Sequence, residues 1–194
     1  MAQLVKNVAA ASPLVSGGIL AAPIATALPT DATTALNAAF KAFGYASEDG
    51  ISPSGEGATR DEIRAWGGDV VLSVLTAKSI RKFTFTLIEV FNEETAKAVF
   101  GTANVTVTAA VSGTGSKLAI QDKGDEPALQ RFVFDMMFGA KRMRVVIPNG
   151  QLVVTGERPY VDSDAMGYEC EVTCLPDASG VRVYRYSQND DPLP

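Results

Sequence analysis

Few side chains in this chain are suited to chemistry, and their spacing argues against it. There is no histidine, which removes Ser-His-Asp and Cys-His nucleophile pairs, histidine metal sites and the commonest general base. Cys170 and Cys174 stand in a run of strand-like alternation. At about 3.3 Å per residue their backbones are about 13 Å apart, too far for a disulfide. Two thiols without further ligands make a poor metal site, so both read as small hydrophobes facing a core. The run GTGSK from Gly113 to Lys117 has the composition of a phosphate loop. It lacks the G-x-x-x-x-G-K-[ST] spacing and precedes a strand-like run where a helix N-terminus is required, so it reads as a turn. Asp162 and Asp164 form a carboxylate pair with no neighbour to tune it. The expectation is a chain without catalytic, cofactor or metal sites.

Composition sets the frame. A chain of 194 residues fits one domain, and 46% hydrophobic with 20% charged residues describes a sequence that folds by burying a core. The balance of 17 basic and 22 acidic residues, net −5, repels the phosphates of a nucleic acid. Such a surface suits a polymer that must slide past and not be held.

Elements follow from periodicity. Residues 1–29 are apolar, with Lys6 near the start and an A-x-A pattern at Ala25 to Ala27, superficially like a secretory signal. Pro13, the pair Gly17-Gly18 and Pro23 interrupt any continuous apolar helix, so an extended arm is expected there, lying on a neighbouring surface. Leu36, Phe40 and Phe43 lie at helical spacing over residues 32–43, with Thr30 or Asp31 to cap the start and Gly44 to end it. Residues 52–60 read as a mobile polar loop, and Trp66-Gly67-Gly68 as the entry to a strand in which Val70, Leu72 and Val74 share a face. Phe83, Phe85 and Leu87 alternate against Lys82, Thr84 and Thr86. Asn92, with Glu93 and Glu94 after it, caps a second short helix that ends at Gly101. Further alternation covers 105–109, 118–121, 132–138 and 143–147, the last with Arg142 and Arg144 facing away. Pro148-Asn149-Gly150 is expected to turn into a strand at 152–155. Tyr168, Cys170, Val172 and Cys174 face one way on the next strand and Glu169, Glu171 and Thr173 the other. A final strand is expected over 181–186. The division expected is an extended arm at 1–29, one β domain at 30–187 and a loose tail at 188–194. By its strands alone, the chain also fits a secreted or cell-surface β-sandwich binding module.

Five segments carry a more specific signal: PTDATTALNAAFKAFGYASEDGI, AWGGDVV, FTFTLIEVFNEE, MRVVIPNG and GYECEVTCLPDASG. In this order and spacing they resemble the major tail protein, or tail tube subunit, of long non-contractile-tailed phages, especially those infecting actinobacteria. The resemblance covers nearly the whole chain and implies a mainly β fold, a β-sandwich or incomplete barrel with a flanking helix. It implies a structural virion protein, assembled in the host cytoplasm, whose hexameric rings stack into a tube for DNA delivery. Implied partners are further copies, the tape measure protein, the tail terminator and the distal tail proteins, with viral DNA passing without specific binding and no membrane. On this basis contacts between subunits or rings are expected from Leu14, Ile19 and Leu20 of the arm, from Ser52, Pro53, Ser54, Gly55, Glu56 and Gly57 of the loop, and from Trp66. Glu89, Asp135, Glu169 and Glu171 are expected to line the channel, denying DNA phosphates a resting place.

Overall fold

The computed structural model of the chain describes residues 7–14, 18–55, 59–77, 81–157 and 160–190. In chain order its strands are β1 (Ser12–Pro13), β2 (Ile19–Pro23), β3 (Lys41–Ala42), β4 (Ser52–Ser54), β5 (Thr59–Arg64), β6 (Val70–Ala77) and β7 (Arg81–Leu87). Helix α1 (Glu93–Phe100) follows, then β8 (Val105–Thr108), β9 (Lys117–Ile120), β10 (Gln130–Phe138), β11 (Lys141–Val154), β12 (Tyr168–Leu175) and β13 (Tyr184–Gln188). The main sheet runs β3-β2-β10-β11-β12-β7-β4, with β1 continuing the edge of β10 beside β2 and β13 continuing that of β11 beside β12. It is mainly antiparallel and does not close into a barrel. Two hairpins, β5-β6 and β8-β9, stand outside it.

Period-two alternation sends large side chains to both faces of this sheet. On the first face Ile19, Phe83, Phe85, Leu87, Phe132, Phe134, Val145, Ile147, Leu152, Cys170, Val172 and Cys174 form the main core. Phe134 meets Phe83 and Phe85 edge to face at 5.2 and 5.9 Å between ring centres, the arrangement favoured by the ring quadrupoles. Helix α1 packs on this side through Ala98 and Phe100. Its start is fixed as the sequence implies: Asn92 Oδ1 accepts from the backbone N–H groups of Glu94 and Thr95, and Gly101 at φ 87° ends it. A helix this short is marginal alone, and Thr95 Oγ1 ties it down by donating to the carbonyl of Phe43 at 2.8 Å.

On the opposite face a smaller core joins Leu20, Ala22, Phe40, Val133 and Val146, covered by Leu28, Leu36, Ala39 and Ala42. This corrects the helix expected over residues 32–43. The segment is bent and ends in β3. Phe43 enters the first core and Phe40 the second, so the two rings lie on opposite sides of the sheet, which one helix face cannot achieve. The turn expected at Pro148-Asn149-Gly150 is also corrected, because β11 runs straight through it. Pro148 sits where the edge partner changes from β13 to β12 and opposite the register shift in β10, a bulge position that needs no N–H donor. A Cβ on Gly150 would lie 2.5 Å from the Phe132 ring, so only glycine lets that ring close on the sheet.

Residues 19–23, expected to belong to an extended arm, form strand β2 of the main sheet. Ile19 and Leu20 are buried in β2, which pairs with β10, so they are core residues and not contacts to a neighbour.

Candidate functional site

A tubular or binding role has to be sought on the surface, and two surface features are unusual. The first is the β5-β6 hairpin. Ile63 pairs with Leu72, Asp61 with Val74 and Arg64 with Val70, which puts Ile63, Val70, Leu72 and Val74 on one face. These four and Val71 are 40% to 66% exposed, because among the described residues the two strands pair only with each other. Trp66 stands fully exposed at the tip. Gly68 N–H donates to the Ala65 carbonyl at 3.0 Å across a turn in which Gly67 and Gly68 have φ of 108° and 97°. The glycine pair is thus a hairpin turn and not a strand entry, a signal the sequence carries in its Gly-Gly between two alternating runs.

The second feature lies beyond the far end of β7. Phe91 and Tyr160 are 85% and 81% exposed. With Leu118, Ile120 and Met166 they border an apolar pocket of about 220 Å³ against Tyr168. Sequence reasoning missed this patch, since its residues come from four separate segments and share no periodicity.

Among its described residues, the expected loop at 52–60 is largely strand. Ser52, Pro53 and Ser54 form β4 on the edge of β7, Gly55 follows with φ 70°, and β5 begins at Thr59. Glu56 and Gly57 lie outside the described residues. Leu14 is half-buried, its N–H bonded to the Asp135 carbonyl at 3.1 Å.

The four acids expected in the channel separate into three situations. Asp135 is 5% exposed and held by the guanidinium of Arg144, with Nε to Oδ1 at 2.6 Å and Nη2 to Oδ2 at 2.9 Å. Arg144 Nη1 also donates to the carbonyls of Asp31 and Thr34. Asp135 therefore cannot present free charge to a lumen, and the expectation for it is corrected: the covering segment buries it. Glu89 is half-buried and accepts from Tyr45 N–H at 2.8 Å and Asn92 Nδ2 at 3.1 Å. Its carboxylate lies where a Cβ on Gly44 would stand, so it braces the chain beside α1. Glu169 and Glu171 share the polar face of β12 with Thr84, Thr86 and Lys82 of β7. Glu169 is exposed, and Glu171 accepts from Lys82 Nζ at 2.7 Å. Only these two acids are brought together on an open face.

A family model described as phage tail tube protein matches residues 8–193. The chain belongs to the phage tail tube protein family. No curated protein matches it significantly. For a tail tube protein an exposed apolar hairpin is no anomaly: surface of this kind ordinarily marks an interaction site. Burial pushes the Cys174 thiol of this tail tube protein up to about 12, which disfavours its thiolate.

Proposed function

We propose that this tail tube protein assembles into hexameric rings that stack as the tube of a long non-contractile phage tail, the conduit for DNA delivery. The observation that carries the reading is the family match over residues 8–193, joined to a hairpin whose apolar face is left exposed among the described residues. Closure of copies around an axis turns exposed strands from an aggregation hazard into joining surfaces. Trp66, Leu14 and the β4 edge from Ser52 to Gly55 serve in this reading as contacts between copies. Glu169 and Glu171 face the lumen, where their charge and the chain's net −5 keep phosphates from adhering. Assembly proceeds in the host cytoplasm, around the tape measure protein and between the distal tail and terminator proteins.

Negative-stain electron microscopy of the purified chain tests this. Uniform hollow tubes or six-fold rings are expected; a monomer that stays dispersed at high concentration, with or without the tape measure protein, overturns the reading.

A further inference from the structure

We propose that the apolar pocket beyond the end of β7 receives the hairpin tip of a second copy, in a head-to-tail contact that repeats from copy to copy. The inference rests on the tube reading and names the surface to which the hairpin docks.

The placement of the two features on one strand carries the argument. Ser54 pairs with Lys82, so the chain leaves the sheet for the hairpin at the N-terminal end of β7 and returns to it at Arg81. The pocket is at the other end: Leu87 pairs with Tyr168, which floors the pocket, and Val90 and Phe91 follow directly. The seven residues of β7 separate root and pocket by about 20 Å at about 3.3 Å per residue. Within one copy Trp66 is fully exposed and does not fill its own pocket.

The chemistries match. An indole is flat, apolar and carries one N–H donor. The pocket offers Phe91 and Tyr160 rings for edge-to-face contact, the Met166 thioether for contact with the indole, and the Tyr160 hydroxyl as acceptor. Because tip and pocket are different surfaces at opposite ends of β7, the contact proposed is the heterologous one, which repeats from copy to copy as a ring or filament requires.

Cysteine cross-linking tests it, since both native cysteines are 0% exposed and leave little background. A65C places a thiol beside the tip and V161C one beside the pocket, with Trp66, Phe91 and Tyr160 retained. Tubes grown from an equal mixture and treated with a short bismaleimide are expected to give a cross-linked dimer, which neither variant gives alone. W66A is expected to raise the protein concentration needed for assembly about thirty-fold, as for a buried aromatic anchor, with an unchanged circular dichroism spectrum. Tubes that form from the mixture without the dimer, or A65C linking to itself, overturn the contact and leave the tube reading intact. Failure of the wild-type chain to assemble overturns the tube reading and this contact together.

Discussion

Arg144 and Asp135 show how a residue's direction can be legible while its environment is not. Alternation along β10 and β11 places both away from Phe134 and Val145, as the sequence indicates. What alternation does not reveal is that residues 24–42 fold back over that part of the sheet and remove the pair from water. A buried pair broken on one side leaves an uncompensated charge, so D135A or R144A is expected to lower stability by about 3–5 kcal/mol in chemical denaturation. Replacing both together by Leu and Met is expected to cost less than either single change; an equal or larger loss contradicts this account of the pair. Asp31 makes a second prediction. The Thr34 hydroxyl, then the backbone N–H groups of Thr34 and Thr33, hold its carboxyl down at about 2 from an ordinary 3.8. A carboxyl with a depressed folded value adds stability above its unfolded value and loses it as pH falls toward the folded one. That contribution is therefore expected to vanish between about pH 4 and about pH 2. A D31N variant followed by thermal melts across this range should show a shallower fall in stability than the parent, and an identical slope would count against the assignment.

Among the elements, α1 was legible because its determinants are local: Asn92 as cap, two glutamates in the first turn and Gly101 as stop act within one turn of chain. The segment at 32–43 has equally helical spacing, yet tertiary demand prevails, with Phe40 and Phe43 drawn to opposite faces of the sheet. The hairpin was half legible. Val70, Leu72 and Val74 do share a face, but a pattern of alternation cannot tell whether the covering partner belongs to the same chain. Because among the described residues β5 and β6 pair only with each other, replacing residues 59–77 by a short Gly-Ser linker is expected to leave the main sheet folded. The melting temperature should shift by only a few degrees, while assembly judged by sedimentation disappears. Loss of cooperative melting would show that the hairpin is part of the fold; normal tubes would show that it joins nothing.

At the scale of the whole molecule, the main sheet has one face filled by the larger core and α1. The other is divided between a covered apolar half and an open polar half carrying Glu169 and Glu171. A polar sheet face, a hairpin at one end of β7 and an apolar pocket at the other give the subunit three chemically distinct surfaces, which the proposed tube assigns to the channel and to neighbouring copies. The mainly β fold and most core strands were legible in the sequence, because period two is a property of each strand by itself. The pocket was not, because Phe91, Leu118, Tyr160 and Met166 converge only when the sheet is assembled. The most direct measurement is a near-atomic cryo-electron microscopy reconstruction of tubes grown from this chain. The account predicts six copies per ring, Glu169 and Glu171 facing the lumen, and every β5-β6 hairpin covered by another copy. A tube with these glutamates on its outer wall and the hairpins standing free in solvent would contradict it.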